Sequence, residues 1–378
     1  MSLRIFTFFS VLLLVLSPLA RAQIVPSPPS GDATSYILTD YNSGHVIAQK
    51  DPEREVEPAS LTKMMTAYVA GEELEEGHIS LDDQVLISEK AWRMGGSRMF
   101  IEVDTRVSVE ELLKGIIIQS GNDASVALAE HISGSEEVFA QLMNQHVSRL
   151  GMNNTHFENS TGMPATGHVT TAHDMALLAR ALIRDHPELY GMHAIKEYTY
   201  NDITQPNRNN LLWRDPSVDG IKTGHAENPG YCLVSSAERN GMRLISVVMG
   251  SSGIQARTSY SQSLLEYGFR FFETVRIAKA GYEIGTARIW KGESEEVNYG
   301  LAEDLYVTVP LRESGKLQQK VEIADPLIAP VNAQQTIGTL SLLLHDETLV
   351  QKPLVALNDI SQAGIFSRVL DSIKLMLE

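Results

Sequence analysis

Pro58-Ala59-Ser60-Leu61-Thr62-Lys63-Met64-Met65 is the stretch around which the rest of this chain is arranged. Residues three apart share one face of a helix, so the Lys63 amine comes within reach of the Ser60 hydroxyl. A base beside a serine turns a weak alcohol into a nucleophile. The pattern is short, and a helix start carrying a solvated lysine would read the same. Its weight depends on whether the chain supplies the partners such a pair needs. Lysine acts as a base near neutral pH only when burial or neighbouring cations lower its pKa.

The 378 residues carry 31 Lys and Arg against 47 Asp and Glu, a formal charge of −16. That length fits about two or three domains. The charge disfavours nucleic acid as a partner, and an anionic substrate would need a local cationic pocket. Near the start, Arg4 precedes an apolar run over 5–16 broken only by Thr7 and Ser10; Pro18 and Ala20-Arg21-Ala22 follow. This reads as a signal peptide over residues 1–22, because the run is shorter than the roughly 20 residues of a membrane span. Removing Arg4 and Arg21 takes the charge to −18. Cys232 is the single cysteine, so an exported chain has no internal disulfide. In Tyr231-Cys232-Leu233-Val234 it reads as a small buried hydrophobe.

Asn42-Ser43-Gly44 separates two strand-like runs, 36–40 and 46–48, a hairpin signal. The Ser60 helix runs to Gly71, and its N-terminus favours developing negative charge. Ser108 with Glu111 forms a capping box before a helix ending at Gln119. Ser120-Gly121-Asn122-Asp123 is a polar turn leading into a helix over 124–132, then one from Glu136 to Gly151. Two apolar helices around a tight polar loop push side chains out into a cleft. Thr171 caps another helix. Asp219-Gly220-Ile221-Lys222-Thr223-Gly224-His225 leads to a strand over 231–237. Asn240-Gly241 then makes a two-residue hairpin with a strand over 243–249. Arg257 opens the last helix of this unit, which spans 31–272.

Beyond Glu273 the texture changes to short β-like runs punctuated by Gly, Pro and Asn, a separate β domain over 273–358. Residues 359–378 end in a helix. Ile365, Phe366, Val369, Leu370, Ile373, Met376 and Leu377 form one stripe on it. Such a helix lies in a membrane interface, or packs on the β domain or on a partner. Its charges cancel, so apolar burial would carry any membrane binding.

A serine acting on an acyl group needs a base, a proton relay, an oxyanion hole and a handle on the substrate. Lys63 is the candidate base and Lys222 the neighbour that would lower its pKa. Ser120 and Asn122 offer a hydroxyl and an amide from one loop. Thr223 and Arg257 offer a grip on a carboxylate, the arginine in bidentate fashion. Arg243 and Arg208 compete with Arg257 for that place.

Ser60-x-x-Lys63, Ser120-Gly121-Asn122 and Lys222-Thr223-Gly224, in this order, resemble the active-site set of penicillin-binding proteins and serine β-lactamases. The longer matches around them, with the layout of the whole chain, resemble the low-molecular-mass D-alanyl-D-alanine carboxypeptidases. That resemblance implies an α+β fold: a transpeptidase/β-lactamase-like domain with an antiparallel sheet flanked by helices, then a small all-β domain and an amphipathic helix. It implies that Ser60 attacks the peptide bond between two terminal D-alanines. Lys63 accepts its proton, Ser120 with Lys222 relays a proton to the leaving D-alanine, and Asn122 orients Lys63 and the substrate amide. The N–H groups of Ser60 and His225 form the oxyanion hole, and Thr223 and Arg257 bind the carboxylate beside Gly224. The expected partners are a peptidoglycan stem peptide ending in D-Ala-D-Ala, β-lactam antibiotics, and the inner membrane through 365–378. The expected location is the periplasmic face of that membrane, and no metal or organic cofactor is required. A D,D-endopeptidase would use the same residues; a non-catalytic peptidoglycan-binding factor would tolerate the loss of Ser60. Glu158-Asn159 lies where class A β-lactamases keep Glu-x-x-x-Asn. That pattern is absent, so efficient β-lactam hydrolysis is not expected. His168, His173 and His225 make no metal-ligand set.

Overall fold

A computed structural model describes residues 25–228 and 230–377. The expected signal peptide lies outside the described residues. The chain enters through a hairpin, β1 (Ser35–Asp40) and β2 (Val46–Lys50), and a 3-10 turn over Ala59–Leu61 then feeds α1 (Thr62–Glu75). A helical lobe follows: β3 (Gln84–Leu86), α2 (Glu89–Trp92), β4 (Arg106–Ser108), α3 (Val109–Lys114), α4 (Asn122–Ser133) and α5 (Glu136–Leu150). Next come α6 (Ala172–Asp185), α7 (Pro187–Tyr190), β5 (Glu197–Tyr200), β6 (Ile203–Pro206) and α8 (Leu211–Arg214). The chain returns to the sheet as β7 (Val218–Ala226), β8 (Gly230–Arg239) and β9 (Met242–Ser251), closed by α9 (Ile254–Phe271).

The sheet is antiparallel in the order β2-β1-β9-β8-β7, so β7 is a free edge. Neighbouring side chains alternate between its faces. Ile37, Val234 and Ile245 meet Leu61, Met64 and Tyr68 on one side. Leu38, Leu233 and Leu244 meet Leu264 and Leu265 of α9 on the other. The lobe has its own core, including Met99, Leu112, Ile116 and Val126. Each fully buried side chain of this size contributes about 1.5–3 kcal/mol.

Local signals hold where the chemistry is local. The Ser108–Glu111 capping box forms, Gly151 ends α5 in a left-handed conformation, and Asn240 and Gly241 both take positive φ between β8 and β9. Two boundaries differ. α1 passes Gly71 and runs to Glu75, because the helix backbone there is buried against His186 and needs no side chain. The helix before Ser120 loosens into a π turn over Gly115–Gln119.

At its end α9 passes directly into β10 (Phe272–Ala278), so Phe272 already belongs to a strand. The β domain continues with β11 (Glu283–Arg288), β12 (Glu296–Gly300), β13 (Leu305–Pro310), β14 (Gln318–Ile323), β15 (Thr336–Leu344) and β16 (Glu347–Ala356). β12 escapes the sequence reading because only Val297 and Tyr299 mark it among charged and polar neighbours. Residues Asp359–Ala363 were expected in the terminal anchor. They pack on the β domain instead, with Ile360 bridging Val331 and Gln362 bridging Gly292. The final helix, α10 (Ile365–Leu377), touches that domain through Asp371, whose carboxylate accepts the Lys291 N–H at 2.8 Å.

The two domains meet at a buried hydrogen-bond cluster. Asp40 is fully buried and accepts from the Ser43 N–H, the Ser43 hydroxyl and the Thr274 hydroxyl, at 2.7, 2.9 and 2.7 Å. Thr308 of β13 lies 2.6 Å from Ser43 and 2.8 Å from Thr274. Leaving a buried polar group unpaired costs about 1–3 kcal/mol. Asp40→Ala should therefore lower stability by about 2 kcal/mol in urea unfolding and loosen the β domain first, as amide exchange at β10 and β13 would report. Unchanged exchange at those strands would remove this cluster as the domain coupling.

Candidate active site

The Ser60 turn rests on the free edge of the sheet. A side chain on Gly224 would come within 3.2 Å of the Pro58 carbonyl, so glycine lets β7 and the turn approach. Ala59 takes φ +47°, a strained conformation for a residue with a side chain. Its carbonyl lies against Gly162, where an added Cβ would collide with the oxygen.

Lys63 is wholly buried one helical turn beyond Ser60. Its amine lies 3.5 Å from the Ser60 hydroxyl, donates to Asn122 Oδ1 at 2.7 Å, and donates to the Thr161 carbonyl at 2.5 Å. Burial, with the Arg208 charge second, pushes its pKa down to about 7 against the opposing pull of Asp123 and Glu136. The sequence reading expected burial and Lys222 to do this: burial is the largest cause, Arg208 is the cation that follows it, and Lys63 and Lys222 disfavour each other's charge. Lys222 is itself lowered well below the ordinary lysine value, by burial first and then by Lys63, Arg208 and Arg257. Two buried amines among arginines share one low-dielectric region, and the neutral state of each relieves the other.

Ser120 and Asn122 reach the cleft because the chain turns sharply between α3 and α4. Ser120 is left-handed at φ 64°, ψ 37°, which costs a non-glycine residue about 1–2 kcal/mol. Asp123 offsets this by accepting the N–H groups of Met99, Phe100 and Ile101, clamping a second loop against the first. The Asn122 N–H binds the Ser97 carbonyl and its amide binds the Gly95 carbonyl. Lys222 donates to Ser120 Oγ at 2.9 Å, so β7 and the helical lobe meet across the cleft at a serine–lysine contact parallel to Ser60–Lys63.

Ser60 stands where two hollows join. One, about 520 Å³, is lined by Ser120, Arg208, Thr223, Gly224 and Arg257. The other, about 430 Å³, is lined by Asn122, Thr161, Gly162, Met163 and Glu227. The first is cationic and fits a carboxylate. Arg257 Nη1 is already bound to the Gly224 and Cys232 carbonyls at 2.8 and 3.1 Å, and its buried Nε has no hydrogen-bond partner. Arg257 thus braces β7 and β8 at the wall of the hollow. Arg243 does not compete for that place, being held by Asp219 and Glu238. Arg208 does reach the hollow. Its loop is pinned when Asn207 binds the His193 and Ile195 carbonyls and Asn209 binds the Gly220 carbonyl. The Asn207-Arg208-Asn209 run was the available signal, an arginine between two side chains suited to fixing a turn.

Thr223 is buried, while His225 is exposed with its ring 4.1 Å from that of Tyr231. The structure thus brings together Ser60, Lys63, Ser120, Asn122, Lys222, Thr223, Gly224, His225 and Arg257. Thr161 is the contact that no motif announced, because it acts through a backbone carbonyl. His168 lies buried behind the site and His173 pairs with Glu53 away from it, so neither joins His225.

A base that works only when neutral gives a rate that rises with pH through its folded-state pKa. Acylation of Ser60 should therefore show an acidic limb near pH 7. Arg208→Gln removes a charge that disfavours the ammonium form, so the limb should move to higher pH. A limb that stays in place would exclude Arg208 as the tuning cation.

Residues 22–253 match the D-alanyl-D-alanine carboxypeptidase family, and residues 272–362 match the penicillin-binding protein 5 C-terminal domain. The chain is 44% identical over 361 residues to D-alanyl-D-alanine carboxypeptidase DacA of Escherichia coli, covering 93% of this chain and 90% of that one. Penicillin binding protein 5 from Haemophilus influenzae superposes with a TM-score of 0.87 at 42% identity, covering 89% of this chain and all of that one. The ampicillin-bound form of penicillin-binding protein D2 from Listeria monocytogenes superposes with a TM-score of 0.60 at 27% identity, covering 65% of this chain and all of that one. With the buried Lys63 amine set between Ser60 and Asn122 and a cationic hollow beside it, this chain belongs to the D-alanyl-D-alanine carboxypeptidase family of serine hydrolases.

Proposed function

We propose that the protein is a serine carboxypeptidase that removes the terminal D-alanine from peptidoglycan stem peptides ending in D-Ala-D-Ala. The observation that carries this is the position of Ser60 between a buried amine, whose pKa is brought down to about 7, and a hollow lined by Arg208, Thr223 and Arg257. A free carboxylate one residue beyond the scissile bond fits that hollow, and the cations there offset the negative charge of the whole chain.

The steps follow from the contacts. The substrate backbone lies along the free edge of β7, whose unpaired groups accept an extended peptide. Ser60 Oγ passes its proton to Lys63 Nζ and attacks the carbonyl carbon of the penultimate D-alanine. The Ser60 and His225 N–H groups receive the oxyanion. Asn122 holds Lys63 and the substrate amide. Ser120, bound to Lys222, delivers a proton to the departing nitrogen and takes in its place the one Lys63 received from Ser60, so D-alanine leaves and Lys63 is a free base again. Water, deprotonated by Lys63, attacks the ester and restores Ser60. A β-lactam places its strained amide at the same carbon and acylates the same oxygen. The loop over Lys63 presents a peptide carbonyl, Thr161 O, which cannot deprotonate water, and Glu158 is held by His156 instead. Without the Glu-x-x-x-Asn pattern of class A β-lactamases, efficient hydrolysis of the β-lactam adduct is not expected.

We further place the protein at the periplasmic face of the inner membrane, exported by residues 1–22 and held by α10. In support, Phe366, Met376 and Leu377 are 93, 85 and 82% exposed, while Asp371 on the opposite face meets the β domain. Among the described residues no helix is long and apolar enough to cross a membrane. An interfacial helix held by apolar burial fits both observations.

Incubation with labelled penicillin and with a D-Ala-D-Ala pentapeptide should give a stable adduct and free D-alanine, both abolished in Ser60→Ala. Cleavage of a crosslinked dimer without D-alanine release would turn the reading to an endopeptidase. Wild-type properties in Ser60→Ala would turn it to a binding scaffold. Deleting residues 364–378 should release an active protein from membranes into the supernatant. Sedimentation of the truncated chain with membranes would overturn the anchor.

A further inference from the structure

The site described so far leaves unexplained what holds the Thr161 carbonyl on the Lys63 amine. Thr161 belongs to no helix or strand. It sits in a loop whose base is closed by the His156–Val169 backbone pair, at 2.9 and 3.0 Å. Phe157 packs this loop into the core and Met163 reaches Asn122, while polar contacts tie the stretch around Thr161 to its neighbours.

His168 is only 2% exposed, lies inside this loop, and has a polar partner on each ring nitrogen. Nδ1 accepts the Glu158 N–H at 2.9 Å, from the opposite arm of the loop. That bond requires an unprotonated Nδ1, so the neutral ring carries its hydrogen on Nε2. Nε2 lies 2.8 Å from the hydroxyl of Thr62, the residue beside Lys63 on α1. Successive positions of one helix face thus meet the loop: Thr62 through His168, Lys63 through the Thr161 carbonyl, and Thr66 through the Ser160 carbonyl at 2.7 Å. Glu136 of α5 holds Ser160 from behind through its N–H and its hydroxyl.

We propose that His168 is a positioning residue for acylation, tying the loop to α1 so that the Thr161 carbonyl stays on Lys63 and water stays out. This rests on the reading of Lys63 as the base. The ring acts through Thr161 and touches neither substrate nor Ser60. The state it needs is the one the fold supplies: burial first, and the facing His156 second, push the His168 pKa down to about 4. The Phe157 ring closes the remaining side edge-on at 5.6 Å.

Removing the ring leaves the Glu158 N–H and the Thr62 hydroxyl without partners and frees the loop to lift. Water reaching Lys63 then restores part of its hydration, and because burial is the largest cause of its lowered pKa, that pKa rises. The test is the second-order rate of acylation by labelled penicillin from pH 5 to 10, for wild type, His168→Ala, His168→Asn and Thr62→Val, with thermal melts alongside. His168→Ala should slow acylation at pH 7 by 10-fold to 100-fold and move the acidic limb up by about one pH unit. His168→Asn, which keeps an acceptor near the Glu158 N–H, should fall between it and wild type. Thr62→Val should move the limb in the same direction. A limb and rate within twofold of wild type in His168→Ala would make His168 a core residue and overturn the proposal. If that variant does not fold, the same result in His168→Asn and Thr62→Val together would overturn it. Failure of the wild type to be acylated at all would instead sink the reading of Lys63 and Ser60.

Discussion

The structure depends on keeping one amine dry and still. An ammonium group in a protein interior without a countercharge is costly, so the group gives up its proton instead. Lys63 does this with two strong acceptors, Asn122 Oδ1 and the Thr161 carbonyl, and a third, weaker contact to Ser60. The acceptors come from the helical lobe, the loop over 156–169, and the turn before α1. All three must be in register for one lysine to be neutral and aimed. Removing the carboxylates from contact is as important as adding Arg208: Asp123 and Glu136 act on Lys63 from a distance while their oxygens are occupied by backbone and serine donors.

Strain collects at the same place. Ala59 and Ser120 both have positive φ, and a π turn precedes Ser120. Such conformations persist only where surrounding contacts over-determine them. Here the contacts are visible: Gly162 under the Ala59 carbonyl, and Asp123 gathering three N–H groups next to Ser120. The layers behind them, α1 and α9 on opposite faces of one antiparallel sheet, are apolar and continuous. The rigid sheet edge presents β7, and the strained loops present the hydroxyls.

Charge is handled locally. A chain with a net −16 gathers Lys63, Lys222, Arg208 and Arg257 around one cleft, and burial loosens the hold of the two lysines on their protons. The result is a positive hollow beside a neutral base, which binding of a carboxylate and activation of a serine each require. The β domain takes no part in this. It is joined through Asp40, Ser43, Thr274 and Thr308 and carries an outward-facing apolar helix at its end.

What was legible in the sequence was local or periodic. Ser60-x-x-Lys63 is fixed by helix geometry, the Ser108 box and Gly151 by capping, Asn240-Gly241 by positive φ, and the stripe of α10 by its period. Three distant motifs in one order sufficed to suggest the family. The sequence did not determine which cations act on Lys63, because Arg208 and Lys222 are 145 and 159 positions away and only folding brings them near it. It did not reveal Thr161, because a backbone carbonyl leaves no mark on residue identity. Nor did it show that Arg257 spends one edge on Gly224 and Cys232, or that His168 bridges a loop to α1. Residue chemistry set which groups could react; the tertiary structure decided which of them are dry, paired and within reach.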